Sequence, residues 1–424
     1  MLHIEHPRVK ELLLEGNFGL EKESLRITQD GFLSQVRDPF AGEKNIVKDF
    51  SECQCEINTN VETSAQKALD ALYTYTVQIQ KKLAHLEEPE YLWPFSNPPY
   101  IRNEKEIPVA IYEGKDAYKS EYREYLSDRY GRYKMVLSGI HINYSFGESL
   151  LKEDFKYSDF TDFQDYKNSL YLCLAQRVAA YGWIINALCS ASPIMDSSYS
   201  EKGVLGQSSF NGMASTRCSE LGYWNSFSPI FNYSNLSSYV KSIQRYVDEE
   251  LIVAPSELYY PVRLKPRGIN SLEALLEKGV DHIELRNVDL NPLCKEGLDI
   301  RDLEFVQLFL VWLASSDLME FSSKDQVQAV QNYKNAAHYD LKTVKIVLPD
   351  GESFSVVKAC LKVIDKMKEF YKDDSSEIQS ILNFEEEKLL NPEKRYAWIL
   401  RKEYEEDFVQ KGLCLAEKRQ KEAI

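Results

Sequence analysis

Glu21 and Glu23 stand two residues apart in Gly16–Ile27, between the apolar Leu20, Leu25 and Ile27. In an extended chain residues i and i+2 point to one side, so both carboxylates face the same way. Like charges so placed repel unless something positive lies between them. A hard cation is one answer, because Mg²⁺ takes oxygen ligands and bridges carboxylates to phosphates. A solvated strand edge is the other. Three further stretches repeat the pattern of an apolar face opposite a charged or hydrogen-bonding one. Glu52, Gln54 and Glu56 share one side of Asp49–Glu56, and His141, Asn143 and Ser145 oppose Ile140, Ile142 and Tyr144. In His282–Arg286, Glu284 and Arg286 oppose Ile283 and Leu285. One such strand is ordinary half-exposed sheet. Four together point to a sheet whose polar face lines a cleft. Carboxylates with one neutral imidazole make a shell for Mg²⁺ or Mn²⁺, and a nearby arginine can meet a phosphoryl group with two donors. That chemistry is phosphoryl transfer, in which positioning and charge neutralisation carry most of the catalysis. Each residue also has a plainer reading: His141 as a satisfied buried histidine, Glu52 as structural, Arg286 as the partner of Glu284, and Arg217 as a surface arginine.

Those strands need elements to hold them. Periodicity predicts a short helix over 8–15, the strand bearing Glu21 and Glu23, and a turn at Gln29–Gly31. A strand over Lys48–Asn60 and a helix over Ala65–Leu86 follow. Pro94, Pro98 and Pro99 make Trp93–Tyr100 a loop. Helices are expected at Tyr118–Tyr130, Tyr166–Leu188 and Leu303–Met319, and strands at Met135–Phe146, Tyr259–Leu264 and His282–Val288. Beyond Pro349-Asp350-Gly351 the chain becomes helical and highly charged. Strands and helices interleaved without βαβ regularity predict an α+β fold with a mainly antiparallel sheet. The sequence carries neither a G-x-x-x-x-G-K-[ST] loop nor a strand-linked G-x-G-x-x-G.

The 424 residues hold 66 acidic and 51 basic side chains, a formal net charge of -15, which argues against binding a nucleic-acid backbone. Mean hydropathy is -0.41, and no apolar run approaches the roughly 20 residues of a spanning helix. Val306–Ala314 and Trp183–Ala191 read as buried helices. The N-terminus lacks a charged-then-apolar leader, so no membrane and a cytoplasmic location are expected. The eight cysteines form no C-x₂-C pair and read as small reduced hydrophobes.

Seven collinear stretches then resemble one family: Glu15–Ile27, Asp49–Glu56, Leu92–Pro99, Tyr130–Ser145, Ala191–Pro193, Thr216–Tyr223 and Ile283–Leu293. They look like bacterial glutamate–cysteine ligase, in wording nearest the ligase half of the fused bifunctional glutathione-synthesising enzymes. The resemblance implies a glutamine-synthetase-like curved antiparallel sheet, an open funnel surrounded by helices. It also implies that ATP with Mg²⁺ phosphorylates the γ-carboxyl of L-glutamate and that the amine of L-cysteine displaces the phosphate, the first step of glutathione biosynthesis. Carried over by motif, Glu21, Glu23, Asp49, Glu56, His141 and Glu284 would hold metal, with Glu21, Glu284 and Arg286 as catalytic residues. Arg286 would face the transferring phosphoryl and Arg123 would lie near the phosphates. Arg217 would anchor a substrate carboxylate, and Tyr122, Tyr223 and Tyr259 would line the cysteine site. Two positions depart from the family: Met135 stands where Gln is usual, and Asn60 follows Thr59 where Pro is usual. Met135 cannot make an amide's hydrogen bonds, so a carboxylate–amine ligase with another amine acceptor is a second reading, and a non-catalytic homologue a third. The expected organisation is a catalytic domain over 1–345 and a charged helical extension over 346–424 packed on it. The ATP-grasp half of the fused enzymes is missing from the sequence, so a separate glutathione synthetase is expected where glutathione is the end product.

Overall fold

The computed structural model describes residues 1–200, 206–317 and 319–424. Seven strands make its main sheet: β1 (Gly16–Thr28), β2 (Ile46–Lys48), β3 (Gln54–Asn58), β4 (Glu90–Leu92), β5 (Gly139–Phe146), β6 (Val262–Lys265) and β7 (His282–Asp289). Their order is β2-β3-β1-β5-β7-β6, with β4 beside β1, and the registered neighbours run antiparallel. The fold is α+β with a large antiparallel sheet, as the strand patterns predict.

Alternation explains the layering. Leu20, Ile57, Ile140, Ile142, Leu264, Ile283 and Leu285 point to one face and are buried in the main core. Against that face pack α1 (Ala65–Ala84), α3 (Phe163–Tyr181) and α4 (Trp183–Cys189), and α5 (Ile300–Ser315) packs on α1 and α3. Helix α2 (Tyr118–Tyr130) has the bounds its sequence predicts. The caps are local: Ser64 accepts the amide of Lys67 to start α1, and Asp162 accepts that of Asp165 to start α3.

Several expected elements are shorter or divided. Lys48–Asn60 is a hairpin rather than one strand, so Asp49 belongs to the connection between β2 and β3. In place of a strand from Met135, residues Arg132–Met135 form a helical turn and β5 begins at Gly139. The helix expected over Tyr166–Leu188 bends by 55° at Gly182. There the Tyr333 hydroxyl donates to the Val178 carbonyl at 2.6 Å, and a Cβ on Gly182 would overlap that hydroxyl. The Leu303–Met319 helix ends at Ser315, and Leu318 lies outside the described residues.

The C-terminal region forms α6 (Val356–Phe370), α7 (Ser376–Leu390), α8 (Tyr396–Tyr404) and α9 (Phe408–Ala423). Val356, Ala359, Val363, Met367, Leu382 and Leu389 enter the same core as the sheet. Lys388 of α7, 1 % exposed, pairs with Asp302 of α5 at 2.5 Å and Glu385 at 2.8 Å. From α9, Gln420 donates to the carbonyls of Gln80 and Glu90. Among the described residues no single helix is long and apolar enough to cross a membrane.

Candidate active site

Strand register gathers the charged residues on the sheet's second face. Glu21 lies opposite His141 across β1 and β5, and Glu23 opposite Glu56 across β1 and β3. Asn143 lies opposite Glu284 across β5 and β7. Ile140 faces Val288 while Ile142 faces Leu285, so β7 carries one extra residue, a bulge. Bulges re-aim side chains beside many active sites. Here Arg286 turns into the cleft and donates to Glu284 at 2.8 Å.

The cluster is tight. His141 Nδ1 stands 3.0 Å from Glu21 and 3.6 Å from Glu284, and Nε2 is 3.7 Å from Glu23. One ligand atom each from Glu21, His141 and Glu284 lie within 4.8 Å of one another. Asn143 donates to Glu21 at 2.9 Å, the Gly139 amide to Glu23 at 2.9 Å, and Lys265 pairs with Glu284 at 3.2 Å. Arg217 donates to His141 Nε2 at 3.2 Å, so the imidazole is neutral and accepts there. Burial, then the Arg286 charge, drives the His141 pKa down to about 4.

Burial and then the Asp49 charge push Glu23 up to about 7, and burial with Asp49, Glu21 and Glu23 pushes Glu56 well above the usual carboxylate range. Burial acts the same way on Glu284, but Arg286, Lys265 and Arg263 outweigh it and hold that carboxyl well below. For Glu21 burial acts upward most strongly of any one cause, but the hydrogen bond from His141 together with the His141 and Lys265 charges brings the carboxyl below its ordinary value. Two carboxylates facing each other across a strand pair, short of positive charge, are a site that a cation stabilises.

The cleft encloses about 860 Å³, and its walls include Glu21, Glu23, Asp49, Glu56, His141, Glu284 and Arg286. Met135, Tyr122, Arg123, Tyr223 and Tyr259 line it as well. Arg123 is held by donating to the Asp49 carbonyl at 2.6 Å and by stacking over Tyr112 at 4.7 Å. Tyr223 and Tyr259 meet edge to face at 4.9 Å, and Tyr122 accepts from Ser256 at 3.1 Å. Arg217, 6 % exposed, borders an adjoining space of about 420 Å³ that shares Tyr223, Tyr259 and Arg286 with the cleft. A further cavity of about 1280 Å³ includes Asn17, Asn143, Ser145 and His282 on the same side of the sheet.

Every residue that the family resemblance assigns to this site thus borders the cleft or its side chamber. Glu52, grouped with Glu56 by strand alternation, does not. It lies in the turn before β3, pairs with Lys48 at 2.7 Å and accepts the amides of Ile111 and Asp38. The plain reading of Arg217 as a surface residue is also wrong, since the loop carrying it folds inward. Lys265 and Arg263, the cations of β6, were missed. Their signal is the alternation Val262-Arg-Leu-Lys265, in which Arg263 lies inside the expected strand and Lys265 just past its expected end at Leu264. The Cys218 thiol is raised to about 11 by burial and then by Asp289, which leaves it unreactive.

An antiparallel sheet with a carboxylate-lined cleft ringed by arginines can gather a polyphosphate, its cation and a small acid. The chain belongs to the glutamate-cysteine ligase family, whose model matches residues 1–336. It is 35% identical over 411 residues to the glutathione biosynthesis bifunctional protein GshAB of Listeria monocytogenes, covering 93% of this chain and 53% of that protein. The GshAB protein of Clostridium perfringens is 31% identical over 423 residues, covering 95% and 54%. The chain therefore spans about half the length of the curated relatives it matches. The crystal structure of a bifunctional glutathione synthetase from Pasteurella multocida superposes with a TM-score of 0.85 at 26% identity, covering 100% of this chain and 55% of that one. A glutamate–cysteine ligase from Francisella tularensis shares the fold, with a TM-score of 0.87 at 21% identity, covering 96% and 89%.

Proposed function

We propose that the chain is an ATP-dependent ligase that joins the γ-carboxyl of L-glutamate to the amine of L-cysteine through a γ-glutamyl phosphate. The observation that carries this reading is the convergence of Glu21, His141 and Glu284 with Arg286 at one point of the cleft. In the first step a carboxylate oxygen attacks the γ-phosphorus and ADP leaves. In the second the cysteine amine attacks the acyl carbon, the amide C–N bond forms and inorganic phosphate departs.

The donor set fits a hard divalent cation. Glu23 faces Glu56 across paired strands, and burial and then the Asp49 charge raise both carboxyls. Glu21, Glu23, Asp49, Glu56, His141 and Glu284 would hold Mg²⁺ or Mn²⁺, which when bound neutralises charge on the polyphosphate. The remaining work belongs to the protein's own side chains. Arg286, oriented by Glu284, donates to oxygens of the phosphoryl group in transit, where charge stabilisation counts most. Arg123 lies at the phosphate end beside Asp49. Arg217 anchors a carboxylate of glutamate, and Tyr122, Tyr223 and Tyr259 wall the acceptor. The cavity past Asn143 has room for base and ribose, and the Francisella ligase of the same fold is described in complex with AMP.

In this reading residues 1–345 form the catalytic body, and 346–424 form a helical extension that buttresses it in the cytoplasm, where the free thiols stay reduced. A partner enzyme or domain with glutathione synthetase activity would take the product onward.

Incubation with Mg·ATP and glutamate, with and without cysteine, tests the function. Cysteine-dependent phosphate release with formation of γ-glutamylcysteine is expected, and no release under any condition overturns it. One observation favours a different amine: Met135 lies in the cleft wall with its sulfur 4.0 Å from the Tyr259 hydroxyl. An acceptor screen that follows ADP decides between the two, and a clear cysteine optimum removes the alternative.

A further inference from the structure

Asp289 ends β7 at 1 % exposure, yet no cation pairs with it among the described residues. Its carboxylate is satisfied by three neutral donors: the Ala191 amide at 2.9 Å, the Ser192 hydroxyl at 2.7 Å and the Ser215 hydroxyl at 2.9 Å. A carboxylate buried this way is costly unless its hydrogen bonds are complete. Here they are complete, and they join two loops. The Ser192 hydroxyl accepts the Thr216 amide at 3.2 Å, and the Ser215 hydroxyl accepts the Cys218 amide at 3.1 Å. Both residues flanking Arg217 in the chain are therefore held by hydroxyls that themselves donate to Asp289.

Arg217 has little other support. One guanidinium nitrogen reaches the Val288 carbonyl at 3.4 Å, another reaches His141, and Nε is buried without a hydrogen-bond partner. The side chain projects from the loop into the side chamber it shares with Arg286 and Tyr223. Its direction is set where the loop leaves Asp289.

The geometry points to Asp289 as the positioning residue that presents Arg217 to the substrate's carboxylate, acting through Ser192 and Ser215. This rests on the proposed ligase function, with glutamate as the acid that Arg217 binds. Asp289 touches no reactant. It works by fixing the loop before substrate arrives, which lowers the ordering cost of binding. Ala191 and Ser192 donate to one carboxylate oxygen and Ser215 to the other, so asparagine, which keeps the volume but turns one oxygen into a donor, cannot accept from both serines at once.

The test is steady-state kinetics on the full chain, with protection by glutamate against thermal unfolding as a readout that needs no turnover. Asp289→Asn is expected to raise the glutamate KM about tenfold or more and to weaken glutamate protection, while the ATP KM stays within about twofold, following the scale for lost preorganisation. Combined with Arg217→Lys, it should add little further change, because both act on one interaction. Should Asp289→Asn fail to fold, Ser215→Ala removes the same link and is expected to give the same selective rise. An unchanged glutamate KM, a parallel rise in both KM values, or full additivity with Arg217→Lys overturns the proposal. A wild-type protein that binds glutamate but does not turn over refutes the ligase reading alone. One that does neither refutes both.

Discussion

Glu21 sits within the cleft's charged cluster, reaching His141 at 3.0 Å and Asn143 at 2.9 Å. Glu21→Gln keeps its shape and removes its charge. Turnover is expected to fall about 10²–10³-fold, the scale for losing one group that stabilises developing charge, with the melting temperature nearly unchanged. Phosphate-release assays beside a thermal melt check this, and unaltered turnover would misplace the metal site. Protons matter at the same scale. The metal-free Glu23 pKa of about 7 lies above the usual carboxylate value of 4.5, so the fold holds that proton between the two. Its contribution to stability is present below pH 4.5 and is lost as pH rises through about 7. A cation requires the ionised form, and His141, with its pKa near 4, is already neutral across that range. The rise in melting temperature produced by Mg²⁺ should therefore grow from pH 5.5 to pH 8, read by calorimetry with and without the ion. A shift that is flat or shrinks with pH would contradict a site holding Glu23 and Glu56.

At the scale of elements, the meeting of β5 with the arginine loop is a close joint. Gly139 opens β5, donates its amide to Glu23, and leaves no room for a Cβ beside the Arg217 guanidinium. Gly139→Ala should displace Arg217 rather than the strand, since β5 is paired on both sides. Overpacking of this kind costs about 1–3 kcal/mol. The expected result is a modest loss in urea stability together with a glutamate KM raised several-fold. A stability loss with unchanged KM would mean that the guanidinium relaxes without consequence. The bulge in β7 is the companion feature, since it lets Glu284 and Arg286 meet in the cleft while Leu285 and Val288 stay in the core.

Across the whole molecule, the C-terminal helices share the core of the sheet domain. Lys388 is their buried bolt, with Asp302 and Glu385 on either side and the Leu188 carbonyl at 3.4 Å. Burial, and then Asp302 against the opposing pull of Lys388, leave Glu385 well above the usual carboxylate range. Lys388→Met strands Asp302 without a counter-ion. Removing one partner of a buried pair costs about 3–5 kcal/mol, and the urea midpoint should fall accordingly. A loss below about 1 kcal/mol would show that Asp302 finds solvent or a proton instead. Because α4 ends at Cys189, just before the Ala191–Ser192 turn held by Asp289, this variant also asks whether the extension supports the site at a distance.

Much of this was legible in the residues themselves, and the part that was not has a common cause. Side chains alternate with a period of two in any strand, so the two-faced character of β1, β3, β5 and β7 and the candidate ligands they carry follow from local spacing. Helix α2 and most of α1 follow from local periodicity in the same way. Partnership across strands does not. That Glu23 faces Glu56, that Glu21 faces His141, and that β7 gains a residue beside Arg286 depend on hydrogen bonds between segments far apart in the chain. Glu52 shows the difference: its spacing matches that of Glu56, but the hairpin turn takes it out of the strand and gives it to Lys48. Arg217 and Asp289 show it again, since nothing in their neighbours' spacing states that one loop will be pinned to the end of a strand more than 70 residues away. The sequence determined which chemistry was available, because side-chain type and alternation are local. Only the tertiary structure decided which groups share a cleft, because register, bulge and burial are set by non-local pairing.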